Sequence, residues 1–268
     1  MSSGGKADLS RKIFDALFPA DNCQSFPHGA GSFNAHTSFS TMKLILCLSL
    51  LASLSLHAEP PPAAGKTTPM FDGTTLTGWE GDPKLWRVED GCITGGSLTE
   101  QVKHNVFIAT TKDYGDCIVR MKIKLSGTGF VNSGFQIRSQ RVPNNTEMSG
   151  YQCDYGEPNW YGCIYDESRR NKLMMQSDMA ALRPVIKKDD WNEYVIWAQG
   201  NRIKTWINGV QGLEYIEADP KIIQTGKMGI QVHGGGKAQV QVKDITIEEL
   251  PAAKAGDAAA PAPAAEKK

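Results

Sequence analysis

The stretch Cys117-Ile118-Val119-Arg120-Met121-Lys122-Ile123-Lys124-Leu125 decides the fold class. In an extended chain Val119, Met121, Ile123 and Leu125 fall on one side and Arg120, Lys122 and Lys124 on the other, because successive strand side chains point to opposite faces. The period is two, so one face of this strand enters a core and the other meets water. The same alternation recurs over 194–198, 203–207 and 240–247, and Asn208-Gly209 after the second of these is a hairpin turn signal. Between Met70 and Leu250 no apolar run at helical spacing competes with it. Ten to thirteen short strands, with turns every 8–12 residues, predict an all-β domain built as an antiparallel β-sandwich or barrel.

Working outward, the ends of the chain read differently. Residues 44–56 are the only strongly apolar run, and they are too short to span a membrane. Lys43 precedes the run, and His57-Ala58 followed by Glu59-Pro60-Pro61-Pro62 closes it, which makes a secretory signal peptide over 42–58. Such signals begin at the initiator, so Met42 reads as the true start and 1–41 as a disordered upstream extension from a misplaced start codon; the alternative is a structured extension. Residues 59–69 read as a linker, 70–250 as the domain, and the Ala/Pro/Lys stretch 251–268 as a disordered tail. Secretion or residence in the periplasm follows from the leader. In that oxidising setting Cys92, Cys117, Cys153 and Cys163 allow three pairings, among which spacing does not choose.

Composition narrows the partners. Lysine plus arginine (29) balances aspartate plus glutamate (29), so the chain has no basic footprint for a phosphate backbone and nucleic acid is excluded as a partner class. With 40% hydrophobic residues a real core is available.

Three strands carry flat, multivalent polar groups at alternate positions. In NSGFQIRS, Phe135 and Ile137 oppose Gly134, Gln136 and Arg138. In GYQCDYG, Tyr151, Cys153 and Tyr155 oppose Gln152 and Asp154; in MGIQVHGGG, Ile230 and Val232 oppose Gln231 and His233. Amides, a guanidinium, a carboxylate and an imidazole beside glycines suit a site for sugar hydroxyls, where small residues permit close approach; a solvated outer face is the plain alternative. Trp160, in the loop-like run 156–162, is an aromatic platform or a packing residue. The run Tyr165-Asp166-Glu167-Ser168-Arg169-Arg170-Asn171 sets two carboxylates beside two arginines, either as a solvated loop of weak ion pairs or as an acid and base beside a pocket.

With FDGTTLTGW near Phe71, NSGFQIRS, GYQCDYG, WYGCIYDESRRN, DWNEY at Asp190, WINGV at Trp206 and GIQVHGG in this order, the chain from about Met70 to Leu250 resembles the secreted bacterial 3-keto-disaccharide hydrolases, long designated domain of unknown function 1080. The resemblance implies a concanavalin A-like jelly roll with the carbohydrate site on its concave sheet. It also implies an aspartate before Tyr215, where this chain has Glu214.

The resemblance further implies a substrate, an oxidised (3-keto) glycoside or disaccharide. The C3 ketone acidifies the C2 proton, so the group at C1 leaves by elimination and water adds back. This needs a base near C2, a donor at the C3 oxygen and an acid for the leaving oxygen. Asp154 or His233 is expected as base, Arg138 as enolate stabiliser and the Asp166/Glu167 pair as acid. Gln136, Gln152, Gln231, Trp160, Tyr165, Asp166 and Arg169 are expected to bind substrate. No cofactor is required, although a divalent metal at His233 with carboxylate ligands would serve as Lewis acid. The competing readings are a non-catalytic carbohydrate-binding module and a conventional glycosidase with paired carboxylates.

Overall fold

Alternation over 117–125 becomes the first nine residues of a long strand, β6 (Cys117–Gly129), whose apolar side is buried and whose lysine side is half-exposed. The computed structural model describes residues 59–253; the expected leader, the extension before it and residues 254–268 lie outside them.

One sheet runs in the order β13 (Val210–Ile216), β12 (Arg202–Ile207), β11 (Asn192–Gln199), β6, β15 (Gly236–Glu249), β4 (Cys92–Gly96) and β3 (Trp86–Glu89), with β1 (Thr68–Pro69) paired to β15. The second runs β10 (Lys172–Met175), β9 (Ile164–Glu167), β8 (Met148–Gly156), β7 (Asn132–Arg141), β14 (Lys227–Val232), β5 (Val106–Thr110) and β2 (Trp79–Glu80). The ladders are antiparallel, including those between strands distant in sequence such as β6·β15 and β7·β14. The fold is an antiparallel β-sandwich of the jelly-roll class. Fifteen strands among the described residues exceed the expected ten to thirteen because β1 and β2 have two residues each, too few to alternate. One helical turn, α1 (Met179–Leu182), is capped by the Asp178 carboxylate, which accepts from the amides of Ala180 and Ala181.

The core lies between the sheets. Val119, Met121 and Ile123 of β6 and Ile196 of β11 meet Phe135 and Ile137 of β7 and Tyr151 and Cys153 of β8 in one cluster. Each large apolar side chain there contributes about 1.5–3 kcal/mol relative to exposure. At the hairpin between β12 and β13, Asn208 (φ 49°) and Gly209 (φ 83°) both take the left-handed conformation that its Asn-Gly signal implies.

Three expectations about the surroundings of the domain change. Residues 59–69 are not a loose linker: Trp206 Nε1 donates to the Glu59 carbonyl (2.6 Å), Arg120 Nη2 to that of Pro62 (2.6 Å), and Gly65 N to Glu248 Oε2 (2.9 Å). The tail is tied at its start, with Ala253 N donating to Asp116 Oδ2 (2.8 Å). Cys92, Cys117, Cys153 and Cys163 are all buried free thiols, so none of the three open pairings is formed. Glu214, where the resemblance implies an aspartate, is paired with Arg202 and Lys204.

Candidate functional site

The second sheet has two buried faces, which a solvated outer face does not explain. Phe135, Ile137, Tyr151, Cys153, Ile230 and Val232 enter the core, and the intervening Gln136, Gln152, Asp154 and Gln231 are also buried, against one another. The register brings them together: Gln136 stands opposite Gln152 and Gly134 opposite Asp154 across β7 and β8, and Gln152 opposite Tyr165 across β8 and β9.

Their amides form a chain. Gln136 Nε2 donates to Gln152 Oε1 (3.0 Å), Gln152 Nε2 donates to Asp154 Oδ1 (2.8 Å) and Gln231 Oε1 (3.1 Å), and Gln231 Nε2 donates to Glu167 Oε2 (3.4 Å). Two carboxyls are thus joined through two glutamines. Gly134 makes this possible, since a Cβ there would stand 2.5 Å from Gln152 Cγ. The glycine admits a neighbouring side chain, where the sequence suggested close approach of a ligand.

Above this floor opens a cleft of about 300 Å³, lined by Asn105, Phe130, Asn132, Gln152, Asp154, Trp160, Tyr165, Glu167 and His233. Two aromatic pairs contribute to its walls: Trp160 meets Tyr165 edge to face (centroids 6.2 Å), and Phe130 lies against His233 (4.5 Å). The cleft is polar below and aromatic at the sides, the pattern of a sugar site.

Burial shifts the proton affinities. Asp154, with its Oδ2 meeting no protein partner, is pushed well above the usual carboxylate range by desolvation, which favours its neutral form. Desolvation, reinforced by the negative charge of Glu147, raises Glu167 to about 7. Burial lowers His233 below its ordinary value, and its Nδ1 donates to the Gly234 carbonyl (2.6 Å), leaving Nε2 as the acceptor of a neutral ring. Three groups of differing proton affinity therefore share one cleft.

Six expected site residues need correction. Gln136 and Gln231 are wholly buried and absent from the cleft lining, so they support its floor and do not bind substrate. Arg138 is not among the amides. The β7–β8 register shifts between Ile137 and Gln140, and Arg138 takes φ 50°, so the bulge re-aims its side chain. Its guanidinium donates to Asp116 Oδ1 (2.8 Å) and the Gly200 carbonyl (2.8 Å), a buried latch away from the cleft. Asp166 and Arg169 are also absent from the cleft walls. Strand alternation separates Asp166 from its neighbour Glu167, and Asp166 is bound by Arg169 Nε (2.9 Å) and Arg170. Arg170 continues to Glu217 (2.6 Å), which also accepts from Tyr151 (2.6 Å) and Tyr215 (2.9 Å), while Arg169 stacks over the Tyr151 ring at 4.5 Å. Asp166, Arg169 and Arg170 thus join Glu217 in a part-buried ionic network instead of a solvated loop. Asp154 changes role, because burial favours the neutral carboxyl, the form that donates a proton and does not accept one. Among the described residues no group of three or more His, Cys, Asp and Glu side chains is arranged to hold a metal ion, so the groups around His233 do not fit the divalent site.

Residues 66–248 match the family of 3-keto-alpha-glucoside-1,2-lyase-like domains, well over half of the chain. The chain belongs to this family. As a member it is a carbohydrate-active protein. Among solved structures it is similar to two candidate glycosyl hydrolases from Parabacteroides distasonis, one at 23% identity and TM-score 0.55 (72% of this chain, 100% of that one) and one at 18% and 0.52 (69% and 100%). A Bacillus subtilis protein of unknown function with a galectin-like fold matches at 12% and 0.51 (70% and 97%). At these identities the likeness is one of fold. No curated protein matches the chain.

In this lyase-like domain Asn105, Phe130, Asn132, Glu147 and Glu217 were not foreseen. Asn132 was legible, since it continues backwards the alternation of Gly134 and Gln136. Phe130 and Asn105 lie just before β7 and β5, where the period gives no orientation. Glu147 acts on Glu167 through space, and Glu217 follows β13 as an isolated carboxylate, so neither leaves a pattern.

Proposed function

We propose that this domain cleaves 3-keto-glycosides by removing the C2 proton, expelling the group at C1 and adding water to the product. The observation that carries the reading is the meeting, in one cleft, of an imidazole whose Nε2 is left free to accept and two carboxyls, Asp154 and Glu167, whose proton affinity burial raises. Environments that push titrating groups apart mark acid and base assignments.

Neutral His233 takes the C2 proton on Nε2, and the C2–H electrons form the enolate C2=C3–O⁻. The protonated Asp154 takes the place expected for Arg138, donating to the C3 oxygen as its charge develops. The enolate electrons return to break the C1–O bond, and Glu167, about half protonated near pH 7, gives its proton to the leaving oxygen. Water then adds across the C1=C2 bond, for net hydrolysis. Gln136, Gln152 and Gln231 orient the two carboxyls, and Trp160 and Tyr165 supply stacking surface to the sugar faces. A carbohydrate-binding module needs the aromatic walls and has no use for three separated proton affinities. We also propose that the domain acts outside the cytoplasm, after export through the leader over 42–58.

The test is a 3-keto-glucoside carrying deuterium at C2, incubated beside its unoxidised parent. A primary isotope effect with exchange of the label into solvent, and no cleavage of the parent, is the expected result. Cleavage with the C2 label fully retained would reject elimination.

A further inference from the structure

Asn132 lines the cleft beside the residues that the reaction uses, yet its side chain makes no bond within the fold. It is 4% exposed, and among the described residues its amide oxygen and nitrogen have no hydrogen-bond partner. The other two amide side chains of the lining are committed. Gln152 accepts at its oxygen and donates twice from its nitrogen, and Asn105 Oδ1 accepts from Gly234 N (3.0 Å). A buried amide without partners costs free energy unless something else meets it. The sheet is pared down around this one: Asn132 stands opposite Gly156, and the next residue on its own face of β7 is Gly134. A Cβ on Gly156 would come 2.7 Å from Asn132 Nδ2, so any other residue there would take the room the amide occupies.

Its neighbours fix what it can touch. His233 N donates to the Asn132 carbonyl (3.3 Å), which sets Asn132 beside the imidazole across β7 and the end of β14. On its other side Asp154 is one step away, opposite Gly134 where Asn132 is opposite Gly156. The inference rests on the reaction proposed above, in which His233 works on the C2 proton and Asp154 on the C3 oxygen. The C2 hydroxyl is bonded to the carbon that His233 deprotonates and lies next to the oxygen that Asp154 meets. A hydroxyl both donates and accepts, and a free primary amide offers one group of each kind. We infer that Asn132 holds the C2 hydroxyl of the sugar, and that the domain selects 3-keto-glycosides bearing that hydroxyl over 2-deoxy ones. With a 2-deoxy sugar bound, the amide stays buried and unpaired, which is how a polar site rejects an analogue lacking the group it was built for.

The test measures kcat/KM for methyl 3-keto-glucoside and its 2-deoxy analogue in the wild type and in Asn132→Ala. The analogue keeps the ketone and hydrogen at C2, so elimination remains open to it, and any difference in intrinsic reactivity cancels when the two proteins' ratios are compared. The ratio of hydroxylated to deoxy substrate should fall at least about tenfold in the variant, as for one buried polar group left unmet. A ratio the variant retains overturns the inference. Asn132→Ser, which keeps the polarity and draws the group back from the sugar, is the second variant with the same expectation, should alanine not fold. Calorimetric titration with unoxidised methyl glucoside and methyl 2-deoxyglucoside reads the contact without turnover. The wild type should bind the first about tenfold more tightly; equal affinities overturn the inference. A preference that Asn132→Ala abolishes, with neither keto-glycoside cleaved by the wild type, supports the hydroxyl contact and sinks the reaction.

Discussion

Gln152 donates to one oxygen of Asp154 over 2.8 Å, while the other oxygen of that carboxyl meets no donor in the protein. An ionised carboxylate buried with one hydrogen bond is costly, and burial accordingly raises its proton affinity. A protonated Asp154 has a hydrogen to give. Replacing it by asparagine keeps a donor of similar shape, whereas alanine removes it. Asp154→Ala is expected to lower kcat/KM on a 3-keto-glucoside by about 10²–10³, and Asp154→Asn by at least tenfold less. Equal losses in both would assign Asp154 to proton abstraction.

The pH profile should follow from His233 and Glu167. His233 must be neutral, and burial lowers it below 6.5, so activity rises with pH on the acid side of that value. Glu167 must be protonated, so activity falls as pH climbs through about 7. In Glu147→Gln the negative charge that raises Glu167 is gone, and the alkaline limb should move to lower pH. A limb that stays in place means the falling rate reports another group.

Arg138 should matter to stability and not to chemistry. Arg138→Met strands Asp116 in a largely buried site, for an expected loss of about 3 kcal/mol in denaturant unfolding. Where the variant remains folded, its pH–rate profile and isotope effect should match the wild type. A lost isotope effect would return Arg138 to the reaction.

Glu217 offers a stability test with a fixed sign. Burial works to raise this carboxyl, but Arg170, Tyr151 and Tyr215 hold it at about 2, below the ordinary 4.5. A depressed folded value means stabilisation that is complete above 4.5 and disappears as pH falls through about 2. Glu217→Gln should cost about 3 kcal/mol at pH 6, and the gap between variant and wild type should close toward pH 2. A gap independent of pH would show that packing, and not charge, accounts for the loss.

Export predicts a mature chain beginning near Glu59, the residue whose carbonyl accepts from Trp206 and whose carboxylate pairs with Lys204. N-terminal sequencing of secreted protein checks it. Recovery of a chain starting at Met1 rejects the leader.

Period-two alternation over 117–125, repeated along the chain, determined without any structure that the domain is all-β, a sandwich or a barrel, because burying one face of a strand leaves a mark at every second residue. The same mark singled out Gln136, Gln152, Asp154, Gln231 and His233, whose side chains gather from β7, β8 and the end of β14. Alternation stops being informative where the backbone departs from the ladder: the bulge at Arg138 turned a guanidinium away from the face its position in NSGFQIRS implied. It is also silent about partners that come from elsewhere in the chain. Asp166 and Glu167 are neighbours in sequence, yet tertiary packing gave one to Arg169 and Arg170 and the other to the cleft. The proton affinities of Asp154 and Glu167 were decided by the structure alone, because desolvation depends on everything packed around a carboxyl and nothing in the one-dimensional order of residues records it.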